Sequence, residues 1–119
     1  MPFFRSLHRG IAYGAGHMQT AGTEGQVVAL TGNDLFAPIT GNATPFGILR
    51  ADCAVGEMPG VWFNGGLYET DRYEGTPTAG APLTFSANSL LTADVQTDDS
   101  VIGTVVAVNG STIKFKLLI

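Results

Sequence analysis

The stretch Val101-Ile102-Gly103-Thr104-Val105-Val106-Ala107-Val108-Asn109-Gly110-Ser111-Thr112-Ile113-Lys114-Phe115-Lys116-Leu117-Leu118-Ile119 decides the fold class. Two runs rich in β-branched residues flank Asn109-Gly110. Asn-Gly tolerates positive φ at both central positions of a type I′ turn, whose twist matches that of paired strands. The stretch therefore predicts a hairpin with Val106 opposite Ile113, Thr104 opposite Phe115 and Ile102 opposite Leu117. Ile113, Phe115 and Leu117 then share one face, with Lys114 and Lys116 on the other. A slip of one residue would bury both lysines.

The same kind of segment recurs upstream. Gln26-Val27-Val28-Ala29-Leu30 is closed by the turn cluster Thr31-Gly32-Asn33-Asp34. Leu35-Phe36-Ala37 runs into Pro38, which predicts a sheet edge. In Phe46-Gly47-Ile48-Leu49-Arg50, Gly47 predicts a bulge or a close backbone approach. Gly60-Val61-Trp62-Phe63 is broken at Asn64-Gly65-Gly66, which makes Leu67 to Tyr73 its candidate hairpin partner. Pro82 to Ser86 and Leu90 to Ala93 complete the series, with a turn of helix as an alternative over Asn88 to Ala93. About seven or eight short strands, roughly ten residues apart, predict an all-β fold, a small barrel or sandwich. No internal repeat is evident.

Sixteen Gly and six Pro in 119 residues agree with a turn-rich single domain. Apolar residues make up 45 % and charged residues only 13 %, about half the usual share. Charges are depleted at the cores of interfaces, so this composition points to a neutral surface that is covered by other proteins. The charge is also split. Residues 1–23 carry Arg5 and Arg9 and no acid, whereas residues 24–119 carry four cations against all ten acids. A basic N-terminal arm (residues 1–24) is thus expected to precede an acidic β body (residues 25–119). Gly10, Gly14, Gly16 and Gly22 argue against helix in the arm. Phe3, Phe4, Leu7, Ile11 and Tyr13 require a surface to lie on, since a free tail is normally poor in such residues. That surface is the chain's own body, a sister subunit or another protein.

Chemistry is hard to place. His8 and His17 lie in the Gly-rich arm, where nothing preorganises them. Neither a Gly-x-Ser-x-Gly elbow nor a His-Glu-x-x-His motif occurs. A Ser–Lys dyad through Lys114 or Lys116 would need lysines that the strand pattern turns to solvent. Asp98 and Asp99, adjacent on an extended chain, point apart. Glu69 and Asp71 can share a face but need further oxygens to hold calcium. Cys53, the one cysteine, forms no intrachain disulfide and reads as a packed thiol. No catalytic residue, cofactor or metal site is expected. Two arginines against ten acids do not make a nucleic-acid surface. The longest apolar run is far below the ~18 residues of a membrane span, and the first residues lack a secretory signal's apolar core. Trp62, Phe63, Tyr68 and Tyr73, beside a Gly-Gly turn, are expected to be core or interface aromatics, with a sugar-binding platform as the alternative.

Several short stretches carry a family resemblance. Gly25-Gln26-Val27-Val28-Ala29, Pro45-Phe46-Gly47-Ile48-Leu49, Gly80-Ala81-Pro82-Leu83-Thr84, Val101 to Val106 and the closing Ile113 to Leu118 strand resemble, in this order, the small β-barrel head decoration (cement) proteins of tailed bacteriophages. Ala87 to Leu91 departs from the glycine-containing turn of that pattern, and residues 1–24 lie outside it. The resemblance implies a protein of the outer capsid surface, assembled in the bacterial cytoplasm. It implies binding to the major capsid protein and bridging of neighbouring subunits as a homo-oligomer, a trimer or else a dimer. Phe3, Phe4, Arg5, Leu7, Arg9, Ile11 and Tyr13 would be the arm's anchors on shell or sister subunit. The competing expectations are a tail or head–tail component and a carbohydrate-binding β module.

Overall fold

Apolar residues stand at consecutive positions in Val27-Val28-Ala29, Ile48-Leu49 and Val61-Trp62-Phe63. Neighbouring residues of a strand face opposite ways, so strands built from these runs must be covered on both faces. The structure, a computed structural model describing residues 3–8 and 10–119, meets that requirement. It is all-β, with thirteen strands in two sheets and no helix among the described residues.

Sheet 1 runs β1 (Phe4–His8), β8 (Leu67–Thr70), β13 (Thr112–Leu117), β12 (Gly103–Asn109), β10 (Pro82–Phe85), β11 (Leu91–Thr92) and β9 (Tyr73–Glu74). Sheet 2 runs β2 (Ile11–Tyr13), β7 (Val61–Asn64), β6 (Gly47–Leu49), β4 (Val27–Gly32), β5 (Leu35–Pro38) and β3 (His17–Met18). All pairs are antiparallel except β3 with β5 and β9 with β11. Between the sheets lies the main core. Val27, Ala29, Ile48 and Trp62 of sheet 2 meet Tyr68, Leu83, Ile113, Phe115 and Leu117 of sheet 1. A second core covers the opposite face of sheet 2, where Val28, Phe36, Leu49 and Val61 pack with Met18 and Cys53.

The C-terminal hairpin forms, and Ile113, Phe115 and Leu117 point inward as expected. Its register differs. Asn109 pairs with Thr112, so the two-residue loop is Gly110-Ser111, and only Gly110 of the turn has positive φ (64°). Glycine at the first loop position suits a type II′ turn rather than type I′. A bulge at Val106 then shifts the pairing again, so Val105 faces Phe115 while Val106 is exposed. An extra residue in one strand reverses which side chains face inward, and strand alternation alone does not locate it.

Asn64-Gly65-Gly66 is a corner, not a hairpin: it carries the chain from β7 in sheet 2 to β8 in sheet 1. Gly10 crosses it on the way from β1 to β2, so close that a Cβ there would strike the Gly65 carbonyl. Gly47 likewise lies against the Trp62 backbone, the close approach its position predicted. β5 is not an edge, because β3 pairs with Leu35 and Phe36 and leaves the Pro38 end free. Residues 88–93 contain a turn with Ser89 at φ 63° rather than a helical turn. The Ser89 hydroxyl, buried, donates to the Ile39 carbonyl at 2.7 Å.

Phe4–His8, Ile11–Tyr13 and His17–Met18 thus join the body's own sheets as β1, β2 and β3. Phe4 packs on Tyr68 and Phe115, with ring centroids 5.4 and 6.0 Å away. Phe4→Ala should therefore destabilise the fold by about 2 kcal/mol, less than the 3–5 kcal/mol of a fully buried phenylalanine. Urea titration should show a lower midpoint with an unchanged slope.

Candidate functional site

The N-terminal segment is the first candidate, and along residues 3–13 the side chains of the body that bond to it are acids and hydroxyls. The Phe3 N–H donates to Asp71 Oδ1 at 2.7 Å, and the Thr70 hydroxyl donates to the Phe3 carbonyl at 2.6 Å. Arg5 pairs with Glu69 at 2.8 Å. Tyr13 donates its phenol to Asp34 Oδ1 at 2.6 Å. Arg5 is thus engaged by the chain's own body, in a pair exposed enough to contribute at most about 1 kcal/mol. Of the seven anchor residues, Phe4 and Tyr13 are half-buried against the cores and Phe3 is also half-buried. Leu7 and Ile11 are exposed. Arg9 lies outside the described residues.

The four candidate interface aromatics divide. Trp62 and Tyr68, 5 % and 0 % exposed, are core residues whose rings pack 5.4 Å apart, so neither has a face left for a partner. Arg50 closes over the Trp62 ring at 4.6 Å, a cation–π contact at the rim of the main core. Phe63 and Tyr73 are half-buried. An aromatic cluster that strand patterns do not reveal gathers instead on the outside of sheet 2. There Tyr13 lies 5.5–5.9 Å from Phe36, Phe46 and Phe63, and Phe46 stacks on Phe63 at 5.5 Å. Phe46 and Tyr13 come from irregular chain and an edge strand, and only the fold brings them together.

A cleft of about 710 Å3 lies between the Thr40–Ala43 loop, the end of β10 and the Asp98–Ser100 turn. Asp98 has φ 76°, and the Asp99 carboxylate accepts the Gln96 N–H at 2.7 Å, so both acids belong to a turn. Neither histidine lines this cleft. Among the described residues no three His, Cys, Asp or Glu side chains converge as metal ligands. Cys53 is buried; burial, with Glu57 nearby, pushes its thiol above the ordinary range and holds it protonated.

Two sheets, the second covered on both faces and edged by strands of the N-terminal segment, define a small β-sandwich. The solved structure of the N base of the head fiber gp8.5 of bacteriophage phi29 has that fold: TM-score 0.64, 17 % sequence identity, covering 90 % of this chain and 92 % of that one. No protein-family model and no curated protein sequence matches the chain.

The Tyr13–Asp34 contact makes a pH prediction. The hydrogen bond to Asp34, then burial and the carboxylate's charge, raise the phenol's pKa. Its contribution to docking the segment is complete below the ordinary tyrosine value and is lost as pH rises through the higher folded value. In an ultraviolet titration Asp34→Asn, which keeps a side chain tolerant of the φ of 56° at this position, should bring one tyrosine midpoint down. An unchanged titration curve would contradict the assignment.

Proposed function

We propose that this chain is a structural component of a tailed-phage head, docked on the outer surface of the shell, where it bridges major capsid subunits as a decoration protein. The likeness in fold to a head-fiber base, across 90 % of the chain, carries this reading. It agrees with the separate resemblance of residues 25–119 to head decoration proteins, which rests on sequence motifs. Decoration needs no reaction. It needs a rigid small domain, several copies and modest contacts that a repeating lattice multiplies through effective concentration.

The surface is suited to adhesion. Leu7 and Ile11, 36 % and 56 % exposed, lie on the two edge strands where the N-terminal segment passes from sheet 1 to sheet 2. They are the apolar anchors that remain free for the shell. The fold likeness also favours a second reading, in which the chain is the attachment base of a head fibre. Both readings place it on the head; they differ in whether binding strengthens the shell.

Purified heads lacking the protein distinguish them. Cosedimentation should give saturable, stoichiometric binding, and decorated heads should release DNA at a higher temperature. Binding without that gain would favour the fibre base, and no binding would sink both readings. Leu7→Ser with Ile11→Ser should weaken binding about tenfold or more, since burying each half-exposed side chain is worth about 1 kcal/mol.

A further inference from the structure

We infer that copies of this chain bind one another head to tail, the turn at Val55 of one copy seated on the outer face of sheet 1 of the next. The turn belongs to the loop between β6 and β7. Val55 and Met58 are its tips and, at 64 % and 63 %, the most exposed large apolar side chains among the described residues. They are not the tips of a slack loop. The Glu57 N–H bonds the Ala54 carbonyl at 3.1 Å, with Gly56 at φ 82° in the third position, as a type II turn requires. The Glu57 carboxylate accepts the Ala54 N–H at 2.7 Å. Below the tips, Met18 exchanges two backbone hydrogen bonds with Gly56 and Glu57, and Gly22 exchanges two with Cys53. Apolar groups held out in a fixed geometry have already met the entropic cost of ordering, which is how binding anchors are made. Asp52 and Glu57 give this knob a negative rim.

The outer face of sheet 1 is its complement. A one-sided antiparallel sheet normally turns polar residues to water. Here the outward positions of β8, β12 and β13 include half-buried Leu67 and the exposed Val106, which the bulge turns outside, and Leu118 follows β13 on the same side. Among these apolar groups stand Lys114 and Lys116, with Arg5 on β1 at the edge. Within β1, β8, β12 and β13 the one acid described is Glu69, and Arg5 already pairs with it. A protein of net charge −4 thus carries a cationic, apolar face and, over the opposite outer face of sheet 2, an anionic, apolar knob. That complementarity in charge and apolarity selects a second copy as the occupant. Knob and face are different patches, so the contact is heterologous. Four strands about 4.8 Å apart offer on the order of 400 Å2, half the ~800 Å2 per partner of a standard interface. The pairing is therefore weak in dilute solution and strengthens where copies are gathered.

Sedimentation velocity on the intact chain, from micromolar to about 1 mM, tests this without any head, so its outcome is independent of the head-binding proposal. The sedimentation coefficient should rise with concentration, and less so at high salt. K114E with K116E should stay monomeric, and so should E57K. V55S with M58S, which leaves the turn's hydrogen bonds alone, should stay monomeric too. Mixing the K114E/K116E chain with the E57K chain should restore association, because each supplies the charge the other lost. A wild type that stays monomeric at 1 mM, variants that associate like wild type, or a mixture that stays monomeric would overturn the inference. If the wild type is monomeric and K114E/K116E loses head binding, the face belongs to the shell instead.

Discussion

A sheet with no solvent face sets the terms for the rest of the molecule. Val27 and Ala29 point into the main core, while Val28 between them points into the second, and Ile48–Leu49 and Val61–Trp62 divide in the same way. Parallel sheets commonly have this two-sided burial because helices cover them. Here the chain has no helix among its described residues, so loops and edge strands must do the covering. Met18 from β3, Tyr13 from β2 and Cys53 from the loop after β6 supply that cover. This is why the N-terminal segment is woven into the body and why the β6–β7 loop is held rigidly. It also accounts for part of the low charge content. Much of the apolar composition fills a second core instead of an exposed interface.

The two sheets are joined where backbone passes over backbone. Gly10 crosses Gly65, the Gly65 N–H donates to the Ile119 carbonyl at 3.0 Å, and the Leu117 N–H donates to the Gly66 carbonyl at 3.0 Å. Gly10 and the last strand are thus tied to one corner. No side chain beyond hydrogen fits at the crossing, so the corner rests on glycine, and the sheets keep a fixed relation while the outer face of sheet 1 stays free for contact. A domain that must present fixed surfaces to a lattice gains from such rigidity, because each side chain ordered in advance lowers the cost of binding.

The outer faces differ in chemistry. Sheet 1 carries lysines among apolar residues, and sheet 2 carries half-buried aromatics and the acidic-rimmed turn at Val55. A head component works through such faces and through copy number. The proposed role on a phage head draws on this uneven surface.

Strand identity was legible in the residues themselves. The all-β class, the strands from residue 26 onward, the inward face of Ile113, Phe115 and Leu117 and the packed Cys53 follow from alternation, β-branching and turn residues, which act over a few positions. What lay beyond reach was decided between distant segments. A single bulge at Val106 moved the hairpin register, and whether Gly65-Gly66 closes a hairpin or turns a corner depends on Gly10, fifty-five residues earlier. Sequence left Trp62 and Tyr68 open between core and interface because it does not record depth. Tertiary packing buried them, assembled the cluster around Tyr13, and set Lys114 and Lys116 beside Val106. Local pattern determines which face of a strand is apolar; only the assembled sheets determine what, if anything, covers it.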